Sequence, residues 1–108
     1  MLHYLASPYN HPDRSVMEGR RAAACRKAGE LIASGVATVS PVAHNAAILH
    51  EVGGATGWEA WKIQDGAMLA ACSKVLVLRL PGWEDSKGVA AEISLAQQLG
   101  KPIEYLDE

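Results

Sequence analysis

The stretch KVLVLRL at residues 74–80 decides the fold of this chain. Its apolar side chains occupy consecutive positions, so the strand that they form must be covered on both faces. Such a run is typical of a strand inside a parallel sheet. Outward from it, strand and helix patterns alternate: strands at 2–6, 36–40 and 102–106, and helices at 16–34, 58–73 and 86–99. This order predicts right-handed βαβ units with helices on both faces of one parallel sheet.

The ends of the predicted elements carry ordinary boundary signals. Ser15 is predicted to cap the first helix, with Glu18 completing a capping box, and Gly35 ends that helix. Between the second and third strands we expect a short helix at 46–51 and a flexible, glycine-rich segment at 53–57. Together these elements predict a three-layer, flavodoxin-like α/β fold.

Length and charge limit the classes of function. The chain has 108 residues, 49% hydrophobic and 20% charged, which predicts one globular domain over residues 1–108. Ten Lys and Arg against twelve Asp and Glu leave a net charge of −2 without a basic stripe, so we expect no nucleic-acid polymer as partner. Basic side chains of the first helix alternate with acids and are expected to form its solvated edge: Arg20, Arg21, Arg26 and Lys27.

Membrane, secretory and metal signals are missing from the sequence. No apolar run reaches the roughly 18 residues of a membrane span, and no secretory signal is visible, so we expect a cytoplasmic protein. The histidines lack HxxH spacing and the cysteines lack CxxC spacing, so neither a metal nor a cofactor is predicted. Cys25 and Cys72 are each expected to be small buried hydrophobes.

The chain is too short to enclose a substrate by itself. If it is an enzyme, we therefore expect a homo-oligomer, a homodimer or homotetramer. Three tryptophans offer apolar area for such an interface, although ordinary core packing explains them equally well: Trp58, Trp61 and Trp83.

Two carboxylates fall on the apolar faces of different predicted helices. At about 100° per residue, Glu92 shares an arc with Val89 and Ala96, and Asp65 shares one with Leu69. An ionised carboxylate that faces a core costs several kcal/mol unless it is paired or hydrogen-bonded. Either each acid has a structural partner, such as an arginine, here Arg79, or the two acids line a cleft and perform chemistry there.

The expected location of a ligand follows from the sheet. In parallel α/β sheets, ligands bind outside the carboxyl ends of the strands, which predicts a site built from residues 7–9, 40–41 and 81–86. The first-turn amides around Ser86, Lys87 and Gly88 suit an anion such as phosphate. An ordinary serine N-cap explains the same residues.

Three segments together resemble the nucleoside 2-deoxyribosyltransferase superfamily, including its nucleoside 5′-monophosphate N-glycosidase branch. They are residues 4–9 (YLASPY), 65–77 (DGAMLAACSKVLV) and 86–92 (SKGVAAE). The first is similar to the family's first substrate loop, the second to its Asp-containing segment before a buried strand, and the third to its S-x-G-V-x-x-E helix start. The pattern is most like that of a branch of short bacterial and phage proteins, with segments similar to residues 40–44 and 80–84.

The resemblance implies cleavage of the N-glycosidic bond of a nucleoside or nucleoside 5′-monophosphate, by hydrolysis or by transfer. It implies that Glu92 is the nucleophile at the anomeric carbon and that Asp65 is an acid acting near the sugar and base. The remaining implied positions bind substrate: Ser86 and Gly88 at the 5′ end, Ser7 at phosphate or sugar, and Tyr4 and Tyr9 beside the base or sugar. His44 either contacts substrate or is a loop histidine that bonds to backbone.

The sequence departs from the family pattern at two places. The monophosphate branch has a glycine-rich first loop with an arginine, whereas residues 7–11 here read SPYNH. The deoxyribosyltransferases have D-x-G-T-x-x-E, and the threonine is missing here. The phosphate requirement and the choice between hydrolysis and transfer therefore stay open. A non-catalytic module that binds a nucleotide-like ligand, and a purely structural or interaction domain, are the competing hypotheses.

Overall fold

The computed structural model describes the backbone of residues 1–108 and all side chains except those at 55, 56 and 58. The strands are β1 (His3–Ala6), β2 (Thr38–Val39), β3 (Lys74–Leu78) and β4 (Ile103–Leu106). The helices are α1 (Arg14–Ala33), α2 (Pro41–Val52), α3 (Gly57–Ala70) and α4 (Lys87–Gln98), with short 3₁₀ turns at Gly53–Thr56 and Trp83–Asp85.

The strands form one four-stranded parallel sheet in the order β2-β1-β3-β4. Strand β1 pairs with β3 from His3 opposite Lys74 to Ala6 opposite Val77. The chain passes from β1 to β2 on one side of β1 and then crosses to β3 on its other side. The strand order therefore reverses between β1 and β3. The predicted three-layer, flavodoxin-like α/β fold is confirmed.

Alternate side chains of β1 and β3 enter two separate hydrophobic clusters. Tyr4, Ala6 and Val77 face the side of the sheet that carries α3 and α4. Leu5 and Leu76 face the other side, where α1 packs with its alanines. Residues Val75 to Leu78 are all buried, so the prediction that β3 is covered on both faces is confirmed.

The start of α1 differs from the prediction. Asp13, not Ser15, is the N-cap, and its carboxylate accepts hydrogen bonds from the backbone N–H and the hydroxyl of Ser15 at 2.8 and 2.7 Å. Glu18 forms an ion pair with Arg21 at 2.5 Å instead of closing a capping box. Aspartate caps as effectively as serine, so local preference alone does not choose between two candidates that lie two residues apart.

Helix α2 is longer than the predicted segment at 46–51. It begins at Pro41, directly after the Ser40 cap, whose hydroxyl accepts a hydrogen bond from the Ala43 N–H at 3.2 Å. Proline is well suited to the first position of a helix because its missing N–H would have no partner there. Pro41, which directly follows the strand predicted at 36–40, therefore starts a helix.

Arg20 does more than form a solvated edge. Its guanidinium donates to the carbonyl oxygens of Asn10 at 2.9 Å and Pro81 at 3.1 Å, and so joins the loop after β1 to the loop after β3. Gly82 follows at φ +84°, and a Cβ there would lie 2.7 Å from Arg20 Nη2. The glycine is therefore required by both its backbone conformation and the close approach of the arginine.

The cysteines and tryptophans divide between core and surface. Cys72 is buried as predicted, whereas Cys25 is exposed, because the buried face of α1 is carried by Ala23 and Ala24 instead. Trp83 packs against Tyr105 of β4 with ring centroids 5.8 Å apart. The side chain of Trp58 lies outside the described residues. Over the described residues, none of the helices combines the length and the apolar character needed to cross a membrane.

Gly82→Ala is expected to lower the free energy of unfolding by about 1–2 kcal/mol, because alanine is strained at positive φ and its Cβ displaces Arg20. The matched control is Gly19→Ala, in the middle of α1, where a Cβ meets no atom within 4 Å. There alanine is expected to stabilise by about 0.5–1 kcal/mol. Urea unfolding measures both, and equal effects of the two substitutions would contradict the assigned role of Gly82.

Candidate functional site

A cavity of about 470 Å³ lies between α3 and α4, on the sheet face that carries Tyr4. Helix α3 contributes Asp65 and α4 contributes Glu92, so the two carboxylates found on apolar helix faces line the same space. Small residues at Gly66 and Ala91 keep the groove between the helices open. The surface of the cavity is mainly apolar, and its lining residues are Tyr4, Lys62, Asp65, Gly66, Leu69, Gly88, Ala91, Glu92, Ser94, Leu95 and Gln98.

The cavity does not lie at the carboxyl ends of the strands, where we expect a ligand site. The loops at 7–9, 40–41 and 81–86 contribute no lining residue, and only Gly88 comes from a helix start. Glu92 and Asp65 sit further along their helices, and Tyr4 reaches the cavity from within β1. The cavity therefore extends down the groove between the two helices, because their small side chains, not the loops, leave the space.

The Glu92 carboxyl is in an environment that disfavours its charge. Desolvation by burial, with a smaller contribution from the negative charge of Asp65, raises its pKa to about 8, while the Tyr4 hydroxyl acts in the opposite direction. The influence of Asp65 places the two carboxylates within electrostatic range of each other. At neutral pH, Glu92 therefore retains its proton.

Asp65 is held by a short chain of hydrogen bonds from α2. Asn45 Nδ2 donates to Asp65 Oδ1 at 2.7 Å, and His44 Nδ1 lies 2.9 Å from Asn45 Oδ1. Burial raises the pKa of Asp65 above its usual range. The hydrogen bond from Asn45 and the charge of the nearby His44 act in the opposite direction but do not cancel this rise. Because a charge-assisted hydrogen bond favours the charged form, Asp65 is the member of the pair that ionises first.

Tyr4 closes the inner end of the cavity. Its ring is fully buried, and its hydroxyl has no hydrogen bond of ordinary geometry among the described side chains although it faces Glu92. Burial and then the charge of Glu92 raise the pKa of the phenol, so Tyr4 stays neutral. A neutral phenol can donate a hydrogen bond to a neighbouring carboxyl group, and this bond becomes stronger when the carboxyl group ionises.

Arg79 is not the partner of either carboxylate. It pairs with Asp107 through Nε at 3.0 Å and Nη2 at 3.1 Å. The hypothesis that Arg79 neutralises Asp65 or Glu92 is therefore wrong. Within the described side chains, no ion pair reaches either carboxylate.

The start of α4 is an ordinary capped helix end beside the cavity. The Ser86 hydroxyl accepts a hydrogen bond from the Val89 N–H at 3.2 Å, and the Ser86 N–H donates to the Trp83 carbonyl at 3.2 Å. Both groups of Ser86 are thus engaged within the protein. Gly88 lines the cavity, and the first-turn amides of Lys87 and Gly88 remain beyond the cap.

Three other predicted substrate residues lie away from this cavity. Tyr9 lines a separate space of about 680 Å³ between α1 and α2, together with Arg14 and Arg21. Ser7 is buried, and its hydroxyl has no hydrogen-bond partner among the described residues. His44 lines a third, smaller space beside Trp61, and a hydrogen-bond chain through Asn45 connects it to Asp65.

Sequence reasoning missed Asn45 and Lys62. Asn45 lies 20 residues before Asp65, on a different helix, so no local pattern connects the two. Lys62 lines the cavity one helical turn before Asp65, and that spacing would have placed it on the same face. Over the residues with described side chains, histidine, cysteine and carboxylate groups form no cluster suited to a metal ion.

Residues 2–108 match a family described as a domain of unknown function (DUF1937), and the chain belongs to this family. The matched residues include all the strands and helices and both carboxylates, so the assignment applies to the whole fold. No curated protein matches the chain.

Glu92→Gln is expected to stabilise the protein at alkaline pH, by on the order of a few kcal/mol. The pKa of Glu92 is raised from 4.5 to about 8 on folding, so between these values the folded state binds more protons than the unfolded state. Stability is therefore lost as the pH rises through this window, and glutamine removes the loss. Thermal unfolding across this range measures the effect, with the exposed, α1-based Glu30→Gln as control. A pH-independent difference between wild type and Glu92→Gln would contradict the raised pKa.

Proposed function

We propose that this member of the family cleaves the N-glycosidic bond of a nucleoside or nucleoside 5′-monophosphate, with Glu92 as nucleophile and Asp65 as partner acid. The observation that carries the proposal is the pair of carboxyl groups that faces one cavity, without an arginine or lysine ion pair among the described side chains. The sequence resemblance to nucleoside 2-deoxyribosyltransferases and N-glycosidases supports the same chemistry.

Glycosidic cleavage needs two different carboxyl functions. The leaving of the base develops positive charge at the anomeric carbon, which a nearby carboxylate stabilises and then captures as a covalent intermediate. The departing base also needs a proton. Two carboxyl groups with different pKa values in one cavity supply both functions, and burial strengthens their interactions with a cationic transition state.

The resting pair holds one proton, on Glu92, while Asp65 is ionised. In the proposed first step, Asp65 takes the proton of Glu92 and delivers it to a nitrogen of the base. The bond between the base and the anomeric carbon breaks, and the Glu92 carboxylate forms an ester bond to that carbon. The base leaves in its neutral, protonated form and Asp65 is again ionised, so protons and charge balance.

The second step reverses these roles. Asp65 accepts a proton from the attacking group as its oxygen or nitrogen bonds to the anomeric carbon, and the proton returns to Glu92 when the ester bond breaks. Water as the attacking group completes hydrolysis, and a second base completes transfer. Tyr4, neutral and facing Glu92, stabilises the carboxylate when it is released.

The size and lining of the cavity fit a nucleoside. Its volume of about 470 Å³ lies within the range of about 300–1,000 Å³ for small-molecule sites. Leu69 and Leu95 offer apolar surface to a base or sugar. Lys62 and the amide of Gly88, both at this cavity, are the groups that would meet a 5′-phosphate.

We also propose that a second copy covers the cavity in a homo-oligomer in the cytoplasm. The groove opens between two helices, and the same part of the chain carries exposed large apolar side chains: Ile63 of α3 is 73% exposed and Leu99 after α4 is 47% exposed. A covering subunit would bury them and exclude water from the reacting sugar. The two cysteines are free thiols, as is usual in reducing compartments.

Incubation with a panel of nucleosides and 5′-monophosphates is expected to release free base, detected by chromatography. Glu92→Gln is expected to lower kcat at least about a hundredfold, because the amide cannot form the ester. Glu30→Gln, an exposed carboxylate on the opposite face of the sheet, is the matched control and should keep the wild-type rate.

Mass spectrometry of enzyme quenched during turnover should find the sugar attached to the peptide that contains Glu92. Base release that persists in Glu92→Gln would overturn the mechanism. Ligand binding without turnover, unaffected by Glu92→Gln, would instead favour the non-catalytic binding module.

The pH dependence of kcat/KM is expected to be bell-shaped. Activity needs one proton on the pair, so it should fall as the pH rises through about 8, where Glu92 loses its proton. The activity should also fall at acid pH, where Asp65 gains a proton. This acid limb of the profile should lie above the ordinary pKa range of aspartate, because burial raises the pKa of Asp65. A rate that continues to rise above pH 8 would mean that the free enzyme must have Glu92 ionised, against the shared-proton mechanism.

A further inference from the structure

We infer that Asn45 is a positioning residue that keeps Asp65 as the ionised, proton-accepting member of the carboxyl pair. The inference rests on the proposed function and concerns a residue outside the cavity lining. Its basis is the hydrogen-bond chain that runs from His44 through the Asn45 side chain to Asp65, and so connects α2 to α3.

The orientation of the Asn45 amide is fixed from both ends. Its Nδ2 donates to Asp65 Oδ1 at 2.7 Å, and its Oδ1 faces His44 Nδ1 at 2.9 Å. An amide oxygen only accepts hydrogen bonds, so the imidazole Nδ1 must donate. Rotation of the amide by 180° would place an oxygen against the Asp65 carboxylate and remove the hydrogen bond to it. His44 thus orients Asn45, and Asn45 orients Asp65.

The contact has a chemical consequence for Asp65. The Asn45 N–H occupies Oδ1, which leaves Oδ2 as the oxygen available to the cavity and to a proton. A donor to a carboxylate stabilises the charged form and therefore opposes the desolvation that raises the pKa of Asp65. The proton of the pair is consequently kept on Glu92, as the proposed first step requires.

No other group around Asp65 performs this function in the described part of the chain. Glu92 of α4 becomes negatively charged when it ionises, so it cannot stabilise the charge of Asp65, and the Tyr4 hydroxyl of β1 faces Glu92. Lys62 of α3 lines the same cavity but forms no ion pair with Asp65. The charge of His44 also lowers the pKa of Asp65, but the His44 hydrogen bond goes to Asn45 and not to Asp65. Loss of the Asn45 amide is therefore not compensated by a neighbouring donor.

The test uses two substitutions of similar size. Asn45→Leu removes the donor, and Asn45→Asp keeps an acceptor for His44 but places a second carboxylate against Asp65. Both are expected to move the acid limb of the kcat/KM profile to higher pH, to leave the limb near pH 8 in place, and to lower kcat about tenfold or more at neutral pH. Gln97→Leu, an exposed amide on α4 outside the cavity, is the matched control and should change none of these.

A second measurement does not depend on turnover. Titration of the Asp65 carboxyl carbon by NMR in the full chain should show protonation at higher pH in Asn45→Leu and Asn45→Asp than in wild type. If Asn45→Leu fails to fold, the isosteric Asn45→Asp carries the test. An NMR titration of Asp65 that is the same in wild type and in a folded Asn45 variant would overturn the inference.

The outcomes separate this inference from the proposed function. If wild type releases no base but the Asp65 titration moves in the Asn45 variants, the proposed function fails and the positioning role of Asn45 stands. If wild type is active and the acid limb does not move in a folded Asn45 variant, the inference fails and the proposed function stands. A purely structural link between α2 and α3 would lower thermal stability without moving either titration.

Discussion

The desolvation of two carboxyl groups in one partly buried groove, to which the charge of Asp65 adds repulsion at Glu92, is the constraint on which the rest of the site depends. Glu92 and Asp65 share a cavity whose surface is mainly apolar, where the state with both groups charged is costly. One proton therefore stays with the pair at neutral pH. Tyr4 and Asn45 then divide the roles, because the first faces Glu92 and the second donates to Asp65.

The scaffold holds this unfavourable arrangement because its stability comes from elsewhere. Strands β1 and β3 are buried on both faces, and their side chains fill two clusters. The cluster on the α1 side shares no residue with the cavity lining, and the other shares Tyr4, Leu69 and Leu95 with it. Arg20 adds a link between the loops that follow these strands. A well-packed sheet thereby tolerates a partly unsatisfied site on one of its faces, as active sites commonly require.

The predictions that held depend on local or periodic signals. The run at 74–80 predicted a strand covered on both faces, and helical periodicity placed Glu92 and Asp65 on inward faces. The errors occur where two local choices are nearly equal in energy, as between Asp13 and Ser15 as a cap, or where exposure depends on a partner helix, as for Cys25. The cavity was expected at the strand ends, and its actual position depends on which side chains are small in the groove between two helices.

The sequence by itself determined the parallel α/β architecture and the presence of two acids on apolar helix faces, because both follow from the spacing of apolar residues along single elements. Only the tertiary structure decided that the two acids meet in one cavity, that Arg79 pairs elsewhere, and that Asn45 reaches Asp65 from another helix. Contacts between elements depend on how helices are placed over the sheet. That placement is set by the packing of many side chains together and leaves no signal at any single position of the chain.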